Sequence, residues 1–193
     1  EISECLVGSE MCIRDRKEAL LKADIEVKKK TAAVEKKLEL YSKIYDGITP
    51  QFSSIDTLLR EITPQNVELS LKKICFLSAY IKRRSNLLLL LEENKTLKLR
   101  ELSLCLKETL NYTSLFQVEY RLNVEDDGYA GVTSLIAAYD WFENCIEPLI
   151  DHLSVLYVKL SQDEEAILLN LLAQTDDEVK TYHSTFFKGG EAS

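Results

Sequence analysis

VEKKLELYSKIYDGITPQFSSIDTLLREI, residues 34–62, places Val34, Leu38, Tyr41, Tyr45, Ile48, Phe52, Ile55, Leu59 and Ile62 at alternating intervals of four and three. That spacing keeps the apolar side chains on one seam of a helix over four heptads. A seam so narrow and so long predicts a helix facing other helices, here both the second arm of a hairpin and a partner chain. Asp46, Gly47 and Pro50 interrupt the helix-forming residues without disturbing the phase. Pro50 lacks a backbone donor and its ring crowds the carbonyl of Asp46, which predicts a kink. The alternative is a helix ending near Tyr45 and a second one starting with Thr49 as N-cap and Pro50 at its first position. The unbroken phase favours one kinked helix.

Working outward toward the N-terminus, residues 17–43 are strongly helix-forming and mostly polar, with eight lysines against five acidic residues up to Ile44. This reads as a solvated coiled-coil stalk. It also suits a linker running from an upstream domain missing from this chain, close to a membrane surface where a lysine excess is favoured. Residues 1–16, EISECLVGSEMCIRDR, show neither helical nor strand period and no secretory apolar core. The part from Cys5 to Arg16 resembles the translation of a transposon-type sequencing adaptor. That resemblance implies a non-native segment over 1–16 and a native sequence entering near Lys17. Without its four acidic and two basic side chains the remainder carries −6 instead of −8.

In the other direction EITPQN ends the first helix, because a residue before proline is pushed out of the α region. A second helix is expected from Pro64 or Asn66 to Glu93, with Val67, Leu71, Ile74, Leu77, Ser78, Ile81 and Leu88 facing inward. So short a connection makes the two helices antiparallel neighbours, a hairpin dimerisation domain over 17–94. Lys82, Arg83 and Arg84 read as a solvated face, with contact to phosphate or an acidic partner as the alternative.

Past residue 95 the period changes. A helix is expected over Leu97–Phe116, then a half-buried strand in which Val118, Tyr120, Leu122 and Val124 alternate with polar residues. The loop EDDGYAG precedes a helix from Val132 to His152 with Pro148 as a bend. SVLYVKL from Ser154, EAILLNLLA from Glu165, and Val179–Phe187 read as three further strands. The fold class is therefore α+β: a long N-terminal helical hairpin, then a two-layer α/β sandwich with helices on one face of a mixed sheet over 95–193.

Composition bounds the function classes. An apolar fraction of 46% with 29% charged residues describes a globular chain. The charge of −8 disfavours nucleic acid as a general partner, since no broad basic face would offset the phosphates. No run reaches the roughly 18 apolar residues of a membrane span. Five widely spaced cysteines without a C-x-x-C pair point to a reducing compartment, with Cys75, Cys105 and Cys145 as buried small hydrophobes. The terminal Gly189 and Gly190 read as a frayed tail.

The order of elements over 17–187 resembles the cytoplasmic portion of a divergent bacterial sensor histidine kinase. The resemblance implies a homodimer through the helical hairpin, a gyrase-type ATPase domain, ATP and Mg²⁺ as cofactors and a response-regulator-like protein as partner. It also implies a cytoplasmic location, either as a free chain or as the cytoplasmic part of a membrane-attached protein. IYDGITP puts Tyr45, Asp46 and Pro50 where the family carries its phospho-accepting histidine, the adjacent acid and a proline. Phosphoryl transfer to histidine needs an imidazole nucleophile oriented by a carboxylate, the role Asp46 would hold. A phenol of pKa about 10 is a poorer nucleophile in that place. The two histidines, His152 and His183, are expected late in a helix and on a strand, away from the hairpin.

YDWFENCIEPLIDH resembles the family's metal-binding helix with Glu143 and Glu147 at its two ligand positions, the second of which is an asparagine in the family. Carboxylate oxygens suit Mg²⁺. A second negative charge beside a triphosphate adds repulsion, and Asn144 is out of phase by about 100°. The family's adenine-reading aspartate-glycine-glycine run and glycine-rich lid have no counterpart here. The expected function is a histidine-kinase-like signal-transduction module with reduced or lost ATP and phospho-acceptor chemistry. An active two-component kinase and an unrelated coiled-coil interaction protein are the alternatives.

Overall fold

The computed structural model describes the backbone of residues 2–125 and 128–188, and the side chains of 16–91, 94–125 and 128–188. Cys5, Met11, Cys12, Asp126, Asp127, Gly189 and Gly190 lie outside the residues whose side chains are described, and with them the adaptor-like segment and the frayed-tail reading. The chain divides into two compact units, residues 1–43 and 44–193.

The first helix, α1, spans Ile2–Arg60 and passes through Pro50 without a break, so the restart at Thr49 does not occur. It also includes residues 2–16, which have no helical period in sequence. Propagating a helix already nucleated costs far less than starting one, so periodicity is not required there. In the first unit Leu20, Ile25, Val34, Leu38 and Tyr41 are all exposed. Ion pairs one turn apart, Asp24–Lys28 at 2.7 Å and Glu26–Lys30 at 2.9 Å, support this stretch. Each contributes only a few tenths of a kcal/mol.

In the second unit, Ile44, Ile48, Ile55 and Leu58 of α1 face the core. Asn66 then clamps the turn after α1: its Oδ1 accepts from the Thr63 N–H at 2.7 Å and its Nδ2 donates to the Glu61 carbonyl at 3.0 Å. The second helix, α2, spans Val67–Glu93. Its buried residues are Ser70, Phe76, Leu77, Ala79, Tyr80, Leu87 and Leu88. Val67, Leu71 and Ser78, expected to face inward, are exposed. The reason is that α2 packs on both α3 and α4, which turns a different and wider sector inward.

A short strand β1 (Thr96–Lys98) leads into α3 (Leu99–Thr113) and a 3₁₀ turn (Ser114–Phe116). Gln117 ends that turn in the left-handed region with φ 64°. Strands β2 (Glu119–Val124) and β3 (Tyr129–Gly131) precede α4 (Val132–Ile146), and a 3₁₀ turn over Glu147–Leu149 follows it. Pro148 thus ends α4 rather than bending it, because it offers no N–H to the carbonyl one turn back. Strands β4 (Leu153–Gln162), β5 (Ala166–Thr175) and β6 (Val179–Phe187) complete the chain. The sequence reading lacked β1 and β3, whose three residues each pair antiparallel with one another.

The main sheet has the order β2-β4-β5-β6, with β2 and β4 parallel and the rest antiparallel. On its inner face Leu156, Val158 and Leu160 of β4 stand opposite Ala173, Leu171 and Leu169 of β5. All are buried. Against them pack Leu102, Leu106 and Leu110 of α3 and Leu135, Tyr139, Phe142 and Ile146 of α4, each at helical spacing and each fully buried. This is a two-layer α+β arrangement, and α2 lies beside both α3 and α4. Of the cysteines, Cys105 is buried as expected and burial pushes its thiol up to about 12. Cys145 is half-buried, whereas Cys75 is exposed because it falls outside the packed sector of α2.

Candidate functional site

Three helices of the second unit converge on a polar cluster: Gly47 and Gln51 from α1, Tyr80 and Arg84 from α2, Asp140, Glu143 and Glu147 from α4 and its end. Positions 47 and 51 are one turn apart, as are 80 and 84, and 140 and 143, so each helix offers a short polar ladder on one face. Arg84 is planted in the apolar sector of α2, seven residues after Leu77, and only 13% of its side chain is exposed. Its Nε donates to Asp140 Oδ1 at 2.7 Å and its Nη2 to Asp140 Oδ2 at 2.9 Å. The Tyr80 hydroxyl donates to the same Oδ1 at 2.6 Å. Such charge-assisted, two-pronged bonds are roughly twice as strong as neutral ones. Burial alone would lower the proton affinity of Arg84, but the carboxylate outweighs it and holds the guanidinium above its ordinary pKa. Burial, then Asp140, raises that of the Tyr80 hydroxyl.

Arg84 was expected on a wet face with Lys82 and Arg83, and that reading is corrected. Arg83 and Lys82 both pair with Glu108 of α3, the latter at 2.9 Å. The signal for Arg84 was present as a charge in phase with an apolar stripe, a placement that occurs mainly when a partner is supplied. Nothing comparable in sequence marks Asp140 as that partner.

Glu143 has 0% exposure. Among the described residues neither of its oxygens finds a hydrogen-bond partner, and the same holds for Gln51 Oε1 and Arg84 Nη1. Gln51 and Glu147 come near enough to alter its proton affinity without forming bonds of proper geometry. Burial first, then Glu147 and Asp140, pushes the Glu143 carboxyl up to about 8, with Gln51 opposing. At neutral pH it is therefore a buried neutral acid. Glu147 is half-buried and borders a groove of about 660 Å³, together with Ser53, Thr57, Lys73, Phe76 and Asp151. Lys73 and Asp151 pair there at 2.5 Å.

The other sequence-derived candidates lie elsewhere. Tyr45 is 66% exposed and Asp46 is exposed beside it, while Glu143 is sealed. His152 stands at the surface 3.6 Å from Asp176, and His183 on the outer face of β6, with Nδ1 2.6 Å from Asn170 Oδ1. Glu143 and Glu147 do share one side of α4, as their spacing predicts. In this arrangement they do not fit Mg²⁺ carrying a triphosphate: the first is fully buried, with Gln51 of α1 and Tyr80 of α2 beside it, and among the described residues no group of three acidic, histidine or cysteine side chains converges as a metal site. Among the described residues no helix is long and apolar enough to cross a membrane. No protein-family model matches this chain, and no curated protein matches it.

Proposed function

We propose that this chain is a dimeric helical relay of the sensor-histidine-kinase type, in which the ATP and phospho-acceptor chemistry is reduced or lost. Movement of α1 would reach the α/β layer through the hairpin, and a response-regulator-like protein would receive it. The observation that carries this reading is the burial of Glu143: the face of α4 that would hold a metal and nucleotide is occupied by the chain's own helices. The exposed Tyr45 in place of a histidine supports it from the other side. Pro50 within an unbroken α1 supplies the place where two helix packings of similar energy would interconvert.

The test is calorimetric titration of Mg-ATP into residues 17–193. The expected outcome is no saturable binding up to about millimolar nucleotide, the weak end of measurable affinity. Saturable binding would support the second reading, an active kinase whose site opens when α2 leaves α4. One observation favours that alternative: the unpaired oxygens of Glu143 and Gln51 are polar atoms the closed arrangement leaves unsatisfied.

A further inference from the structure

Gly47 is the only glycine between Gly8 and Gly128. In a helix interior glycine costs about 1 kcal/mol relative to alanine, so its presence in α1 needs a reason. The structure supplies one. A Cβ built on Gly47 would lie 1.8 Å from Arg84 Nη1, 2.6 Å from Cζ and 2.9 Å from Nη2, so the guanidinium rests against the bare backbone of α1. The same guanidinium grips Asp140 through Nε and Nη2. That fork holds the guanidinium in place, and only 13% of the Arg84 side chain is exposed. One turn along α4 from Asp140 sits the sealed Glu143.

We infer that Gly47, Arg84 and Asp140 form a register lock: α2 closes on α4 over Glu143 only while α1 presents its glycine to the guanidinium. The residues flanking Gly47 on the inward face are Ile44, Ile48 and Gln51. A slide of α1 by about one turn, 5.4 Å, or a rotation of about 100°, sets a Cβ where Gly47 was. The fork and that Cβ occupy the same space, so Arg84 leaves Asp140 and the hydroxyl of Tyr80 becomes the single remaining tie of α2 to that carboxylate. Glu143, already unpartnered, is then uncovered. The lock rests on the relay reading for the source of α1 movement; the coupling among the three residues is measured without it.

The experiment is a mutant cycle in the full chain with two readouts: the urea midpoint, and carbodiimide-driven amidation of Glu143 followed by peptide mass spectrometry, under conditions where β5 amides stay protected from exchange. Gly47→Ala is expected to lower the midpoint and raise Glu143 amidation about tenfold, as a local opening does. Arg84→Met alone is expected to raise amidation similarly. In the Arg84→Met background Gly47→Ala is expected to raise the midpoint, since alanine is the better helix former, and to change amidation less than about twofold. Equal loss of stability in both backgrounds, or no rise in amidation with Gly47→Ala, overturns the lock. If Gly47→Ala does not fold, Arg84→Met decides: unchanged amidation overturns it. Mg-ATP binding by the unaltered chain would sink the relay reading and leave this cycle unaffected.

Discussion

At the scale of single residues Glu143 is a costly feature, a fully buried carboxyl with neither oxygen hydrogen-bonded among the described residues. Burial first, then repulsion from Glu147 and Asp140, pushes its carboxyl up to about 8 from an ordinary 4.5. Facing it are Asp140 and Tyr139 from α4, Glu147 from the turn that follows, Tyr80 from α2 and Gln51 from α1, and Asp140 is itself paired with Arg84. Between these two pKa values the folded state holds a proton that the unfolded chain has released. Stability from this group is therefore complete below pH 4.5 and is lost as pH rises through 8. The slope is at most about 1.4 kcal/mol per pH unit. Asp163, whose carboxylate is held low by the backbone N–H groups of Glu165 and Ala166, acts with the opposite sign and only in the acid range below this window. The urea midpoint is expected to fall between pH 5 and 8, and Glu143→Gln to flatten most of that fall. At pH 8 the variant is expected to be more stable by about 2–3 kcal/mol, the cost of an unpaired buried charge after relaxation. A midpoint that falls as steeply in Glu143→Gln would place the effect on another group.

At the scale of elements, α1 carries a proline where a helix interior tolerates it least. Pro50 gives no N–H to the turn before it, and the hydroxyl of the neighbouring Thr49 bonds back to the Tyr45 carbonyl at 2.7 Å. Such a back-bond tends to bend a helix rather than straighten it. Pro50→Ala restores a donor and is expected to stabilise the chain by about 1–2 kcal/mol, less than the full proline penalty because the local backbone has adapted. If helix geometry and response both stay unchanged in that variant, the proline has no switching role. The same element shows what a sequence reveals. The heptad phase identified one continuous helix, and it was found. It did not reveal how many neighbours the helix has: of the seam, Ile48 and Ile55 enter the core while Tyr45, Phe52 and Leu59 remain outside. For α2 the consequence is larger, since packing on α3 and α4 draws Ser70, Ala79 and Arg84 inward. Period reports which residues share a face. It does not report which face meets which element, so when the family resemblance implied Glu143 and Glu147 as ligands, nothing in the period showed that residues of α1 and α2 cover the first. Strands of three residues, β1 and β3, are too short to display a period at all.

At the scale of the whole molecule the exposed part of that seam is an unfinished surface. Tyr45, Phe52 and Leu59, spaced by seven, expose 66%, 49% and 53% of their area. Single apolar residues at a surface are ordinary, but a seven-residue repeat of large ones is the pattern by which a helix recognises another helix. The relay reading assigns that helix to a second copy of the chain, related by a two-fold axis that brings the same stripe to both sides. Sedimentation of the purified chain at about 50–100 µM is expected to show a dimer, a range in which an interface worth about 6 kcal/mol is populated. Changing Phe52 to Glu places a charge at the middle of the stripe and is expected to weaken association at least about a hundredfold, or about 2.7 kcal/mol. Because that side chain is half exposed within one copy, the unfolding free energy of the variant is expected to stay within about 0.5 kcal/mol of the parent at concentrations where both are monomeric, as surface substitutions do. A parent chain that sediments as a monomer at this concentration removes the dimer from the relay. A Phe52→Glu variant that loses stability without changing association would instead assign the residue to packing within one copy.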